Sequence, residues 1–268
     1  MSLISREELM PRSIVRAAQD HAREEYIAGK DKPREAIGVI SKGEYVPLKN
    51  VSETPDKKAY PDPERFYNMI ADKEVDCVIH SHVNGRFYPS RNDMQSQINL
   101  EIPHGILACY KGSACTPVAL WGDQLERLPL NDRSFQHGIS DCYEAFRDWY
   151  RINRGYTGLF PIAREWLWWS NGEDMYMDNL EASGFVPIPA KEATVGDAVL
   201  FKMPVRSKVD GRLCVGETYN HAAVIQGPNT IYHHPSAGDG YSFGSRSGLG
   251  ELHRRMSSNP LFLRLPAS

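Results

Sequence analysis

Between Gly122 and Asn131 the chain runs charged and turn-prone, with Leu125, Leu128 and Leu130 as its only apolar pattern. Such a stretch does not belong inside a core. It divides the 268 residues into two pieces, 1–128 and 129–268, each long enough for a small domain. The hydrophobic share of 41% is an ordinary globular proportion, so each piece has the apolar mass for a core of its own. A net charge of −3 lacks the basic excess of a general polyanion binder, and no nucleic-acid specificity is expected. No run of about 18 apolar residues predicts a transmembrane segment. The N-terminus carries Arg6, Glu7, Glu8 and Arg12 in place of an apolar signal core, so no secretory signal is expected. The five cysteines are odd in number and include no Cys-x-x-Cys pair. That predicts free thiols and synthesis in a reducing cytoplasm.

Helical spacing predicts a helix over Ser13–Tyr26 and another over Glu64–Asp72 behind Pro61 and Pro63. Strands are expected at Glu35–Ile40 and Tyr45–Asn50 around a Lys42-Gly43 turn, and at Val75–Ile79 running into His80. A helix over Ser90–Leu100 follows, then strands at His104–Tyr110 and Pro117–Trp121 around Lys111-Gly112. The second piece opens on a helix capped by Ser140 and ended by Gly155. Its buried stripe is Cys142, Ala145, Phe146, Trp149 and Ile152 or Tyr150. An aromatic-rich stretch (Phe160, Trp166, Trp168, Trp169, Tyr176) reads as core or packing surface. Strands are expected at Ala198–Lys202, Ala222–Gln226 and Thr230–His233. The fold class is therefore α+β in two domains, a mixed sheet with flanking helices and then a helix followed by antiparallel sheet.

The first chemical constellation is His80-Ser-His82, followed by Ser90 and Asp93. A strand ending in His-x-His sends both imidazoles to one face, because strand side chains alternate. A carboxylate on the next helix can close the same site. Two histidines and one carboxylate leave a fourth position open, the arrangement of a catalytic zinc, which lowers the pKa of water towards ~7. Glu35, at the start of the first strand, is the candidate base. This Glu … His-x-His-x7-Ser-x2-Asp pattern resembles the JAB/MPN (JAMM) metalloproteases over about residues 14–121. The resemblance implies His80, His82 and Asp93 as zinc ligands, Glu35 as general acid/base, and Ser90 as donor to the tetrahedral intermediate.

The second constellation is Asp141-Cys142 at a helix start, where unpaired amides and the helix dipole favour a thiolate. A thiolate nucleophile wants an imidazole oriented by a third polar group. Asn220-His221 opens a strand, and His233 and His234 lie one hairpin later. The order Asp-Cys, then Gly196-Asp197-Ala-Val-Leu-Phe201, then Asn-His-x-x-Val, then His resembles the papain-like NlpC-type cell-wall cysteine peptidases over about residues 130–240. It implies Cys142 as nucleophile, His221 as base and His233 as orienting residue, with His234 the rival. It also implies no cofactor for the thiol site and peptidoglycan stem peptides as substrate. Tyr143-Glu144 replaces the family's usual Ser-Gly, a departure that bears on the substrate pocket. Cys77 and Cys109 read as core, and Cys115 and Cys214 have no chemical context.

A JAMM-like half followed by an NlpC-like half resembles a group of tail-tip peptidases of lambda-like siphophages. That pairing implies a virion component made in the host cytoplasm, with other tail-tip proteins as partners. It implies local cell-wall degradation or tail assembly. A structural plug with silenced sites, or a processing protease for another tail protein, is also open.

Overall fold

The computed structural model describes residues 3–110, 114–206, 213–215, 217–236 and 241–266. The chain divides into two compact units, residues 1–126 and 127–268. Both are α+β.

The first unit holds α1 (Arg6–Leu9), α2 (Arg12–Ala28), β1 (Ile37–Ser41), β2 (Glu44–Leu48), α3 (Pro63–Ala71), β3 (Cys77–His82), α4 (Arg91–Leu100), β4 (His104–Tyr110), β5 (Ala114–Cys115) and β6 (Ala119–Trp121). Its sheet runs β2-β1-β3-β4-β5, with β6 also on β4. The β1–β2 loop is Lys42-Gly43, both with positive φ (52° and 78°). This is the primed two-residue turn whose twist matches its strands. β3 and β4 are parallel, and α4 makes the crossover between them. All five residues of β1 and all six of β3 are buried, because both sheet faces are covered. Ile14, Ala18 and Ala22 of α2 pack on Ile40, Ile79 and Leu107 on one side. Phe66 of α3 packs with Ile37, Val39 and Val78 on the other. At about 1.5–3 kcal/mol for each fully buried large aliphatic, this two-sided burial fixes the strand register.

The free-thiol expectation is corrected here. Cys109 and Cys115 face each other across β4 and β5 and form a disulfide, with Cα atoms 4.2 Å apart. The signal was present in the sequence as two cysteines flanking the turn at Lys111-Gly112, a turn that itself lies outside the described residues. Cys77 and Cys142 are free. The side chain of Cys214 lies outside the described residues.

The second unit holds β7 (Ser134–Gln136), α5 (Cys142–Arg154), a 3-10 turn (Trp168–Asn171), α6 (Met175–Asp178), β8 (Val186–Ile188), β9 (Ala198–Phe201), β10 (Pro204–Arg206), β11 (Leu213–Val215), β12 (His221–Gly227), β13 (Thr230–His233), β14 (Tyr241–Arg246), β15 (Gly248–Glu251) and β16 (Leu261–Arg264). Its main sheet, β15-β13-β12-β9-β16-β8, is antiparallel throughout. Ala145, Phe146, Trp149 and Tyr150 of α5 pack on Ala198, Leu200, Ala222, Val224 and Tyr232. The opposite face gathers Val199, Phe201, Ala223, Ile225 and Ile231.

Two details of α5 differ from expectation. Its N-cap is Asp141, whose carboxylate accepts from the amides of Tyr143 and Glu144; Ser140 donates to the Ser134 carbonyl instead. The stripe continues through Tyr150, while Ile152 is 51% exposed. A capping carboxylate satisfies orphan amides and faces the positive helix end, which a serine does less well there. Gly155 ends the helix in the left-handed region, at φ 61°. Trp168 and Tyr176 are buried with α5, so the aromatic stretch is largely core.

Candidate functional sites

In the first unit the strand end of β3 and the first turn of α4 converge. His80 Nε2 and His82 Nε2 lie 3.3 Å apart. The carboxylate of Asp93 lies 3.4 Å from the first through Oδ1 and 3.5 Å from the second through Oδ2. One ligand atom from each residue falls within 4.8 Å of the others. His82 Nδ1 lies 3.0 Å from the Arg86 carbonyl. A carbonyl only accepts, so Nδ1 donates to it and Nε2 is the atom turned to Asp93. The donor set therefore fits a divalent cation such as zinc.

Asp93 is the third residue of α4 and forms a capping box with Ser90. The Ser90 hydroxyl donates to Asp93 Oδ2 at 2.7 Å. It steadies the Asp93 carboxylate. Burial acts to lower the His80 pKa, but the charge and hydrogen bond of Asp93, helped by Glu35, leave it raised. Burial acts to raise the Asp93 carboxyl, but the two imidazoles hold it well below the usual range.

Glu35 is 2% exposed and lies two residues before β1 begins at Ile37, not at the start of the strand as expected. Burial raises its pKa, partly offset by His82 and His80. A carboxyl poised upwards and coupled to both imidazoles suits proton transfer. Its backbone is held twice, by Glu35 N donating to the Pro55 carbonyl and by Asn50 Nδ2 donating to the Glu35 carbonyl. The Ala36 amide donates to Ser81 Oγ at 2.8 Å, tying the residue after Glu35 to the strand between the two histidines. Sequence reasoning missed Asn50, Ser81 and the Arg86 carbonyl. The alternation of the His-Ser-His run was the available signal for Ser81.

In the second unit β12 and β13 bring two histidines together, with His221 Nε2 lying 2.9 Å from His233 Nδ1. His234 turns elsewhere, its ring edge-on to Phe135 at 5.3 Å. Cys142 opens α5, and its Sγ lies 3.6 Å from the Tyr176 hydroxyl and takes a backbone hydrogen bond at Ala222, the residue after His221. Among the described residues no hydrogen bond joins the thiol to the His221 ring. The structure thus unites His221 with His233 and puts the thiol beside the same strand.

The expected thiolate is corrected as well. Burial, with the Asp141 charge, pushes the Cys142 thiol up to about 11. Asp141 already holds the first free amides of α5, so the helix end has little positive character left for sulfur. Burial, with His233, Arg255 and His234, lowers His221 well below the usual imidazole value, and burial takes His233 to about 4. The thiol and the imidazole therefore both rest neutral. Asp141 is itself pinned by Arg164, whose guanidinium lies 2.6 Å away. His137 stands 3.4 Å from the same oxygen. Burial acts to raise that carboxyl, but Arg164 and His137 hold it far below the usual range.

No protein-family model matches the chain. It is similar to the tail tip assembly protein K of Escherichia phage lambda, 30% identical over 177 residues that cover 64% of this chain and 75% of that protein. The chain belongs to this phage tail tip assembly protein K family. It is also similar to the tail tip assembly protein K of Escherichia phage N15, 25% identical over 233 residues covering 84% of this chain and 85% of that protein. In this K-family chain the residues sequence reasoning missed in the second unit are Arg164, His137 and Tyr176. Arg164 lies in the long segment between α5 and β8, where nothing local marks a buried cation as the partner of a helix cap.

Proposed function

We propose that the protein is a component of a phage tail tip, assembling with other tail proteins in the virion, and that it hydrolyses peptide bonds of peptidoglycan stem peptides. The observation that carries this reading is the His221–His233 hydrogen bond on the strand whose next residue, Ala222, meets the Cys142 thiol. With the thiol protonated and the imidazole neutral, the reaction runs by general-base assistance. His221 Nδ1 takes the thiol proton as Sγ attacks the carbonyl carbon and the S–C bond forms. The C–N bond then breaks, and the amine leaves with the proton from His221. Water, activated by the same imidazole, hydrolyses the thioester and restores the thiol.

A second hydrolase site belongs to the first unit. His80, His82 and Asp93 would hold zinc, which supplies a Lewis acid and acidifies water. Glu35 moves the proton between water and the leaving amine. Ser90 keeps Asp93 in place and donates to the oxyanion when released from it.

The test is mass spectrometry of defined muropeptides digested by wild type, Cys142→Ala and His80→Ala, with and without chelator. Cys142→Ala is expected to lose the stem-peptide product, and chelation to spare it. Equal cleavage by Cys142→Ala would overturn the thiol assignment. The thiol value of about 11 favours one other reading, a structural tail-tip role with the cysteine site silent. Tails that assemble and infect normally with Cys142 and His80 both replaced would support it.

A further inference from the structure

Strand β15 reads Gly248-Leu-Gly250-Glu, an unusual composition for a strand, since each glycine weakens it and gives it nothing to pack. The two glycines are not equivalent. A Cβ at Gly248 would meet nothing within 4 Å, whereas one at Gly250 would lie 2.5 Å from His233 Nε2 and 3.0 Å from its Cδ2. Neither has a left-handed φ, so space and not backbone conformation separates them. The register explains the contact. His233 pairs with Gly248 and Ile231 with Gly250, so position 250 is the same-face diagonal neighbour of the His233 ring.

The ring cannot simply withdraw, because its Nδ1 is held 2.9 Å from His221 Nε2. A base that takes the thiol proton on Nδ1 carries its own proton on Nε2, so His221 donates and His233 Nδ1 accepts. The remaining His233 proton is then on Nε2, the atom that lies against Gly250.

We propose that Gly250 is a positioning residue. Its missing side chain is the space that lets His233 stand where it orients His221. This rests on the thiol-site reading above. An alanine there drives the His233 ring off His221, leaving the base free to turn, while the sheet survives on its other strands.

The experiment compares Gly250→Ala with Gly248→Ala in the full chain. Thermal melts check folding, imidazole nitrogen NMR reads the His221–His233 hydrogen bond, and muropeptide kinetics read kcat/KM. Gly250→Ala is expected to lose the hydrogen-bond signature and about 10- to 100-fold in kcat/KM, the scale of a misplaced catalytic group. Gly248→Ala is expected to match wild type in both. In a His233→Asn background, where the ring is gone, Gly250→Ala should cost less than two-fold, and this double-mutant comparison keeps the test valid if the single variant is destabilised. A retained hydrogen-bond signature in Gly250→Ala, or equal losses in the two alanine variants, overturns the proposal. Undiminished cleavage by Cys142→Ala overturns the thiol-site reading instead, and the nitrogen spectra still decide the geometry.

Discussion

The two candidate sites solve opposite problems. In the first unit the groups are strongly coupled, with two imidazole nitrogens and a carboxylate within 4.8 Å. In the second the groups rest neutral, with a thiol raised to about 11 beside imidazoles lowered by burial. The first is a donor set that a divalent cation would suit. The second would have to move a proton before its thiol could attack anything. A chelator and a thiol reagent therefore address different halves of one chain.

The sharpest break in that comparison is Cys142→Ala. It should lower stem-peptide cleavage about 10⁶-fold, the scale of removing a nucleophile, and leave zinc uptake measured by calorimetry unchanged. Loss of zinc uptake in that variant would mean that the two sites are not separable. Alkylation of Cys142 by iodoacetamide comes next. Its rate should rise about ten-fold per pH unit from neutrality without levelling below pH 10. A plateau near pH 7 that His221→Ala removes would show a preformed ion pair instead.

The histidines give a smaller effect on stability. An unfolded imidazole titrates near 6.5, whereas His233 in the fold titrates near 4. The unfolded chain therefore binds the proton first as pH falls. The stability is present in full above 6.5 and drops between 6.5 and 4, by on the order of 3 kcal/mol. Urea melts at pH 7 and pH 4.5 should show that loss in wild type and a reduced one in His233→Asn. The smallest change is Ser90→Ala, which removes a hydrogen bond to a ligand. It should weaken zinc binding by about 10-fold, and an unchanged affinity would mean that the Asp93 carboxylate is oriented without it.

What was legible in the sequence follows from periodicity. His80 and His82 share a face because strands alternate, and Asp93 reaches it because a capping box puts the third helical residue beside the cap. His221 and His233 are twelve residues apart across a hairpin whose turn residues mark its centre. The missed features were matters of competition between neighbours. Ser140 and Asp141 are both good caps, and the Arg164 guanidinium, contributed from beyond α5, favours the carboxylate together with His137. That choice then reverses the electrostatics at the thiol, which no local motif encodes. The Cys109–Cys115 pair was hidden for a different reason. An odd count of cysteines argues about the whole set, while a disulfide depends on one facing pair.

That disulfide also lets the molecule report its own history. A chain kept in a reducing cytoplasm carries two thiols on β4 and β5, and one that has met an oxidising space is two hydrogens lighter. Intact-mass measurement of the protein drawn from lysate, from assembled tails and from tails bound to cells would therefore date the passage of each copy out of the cytoplasm.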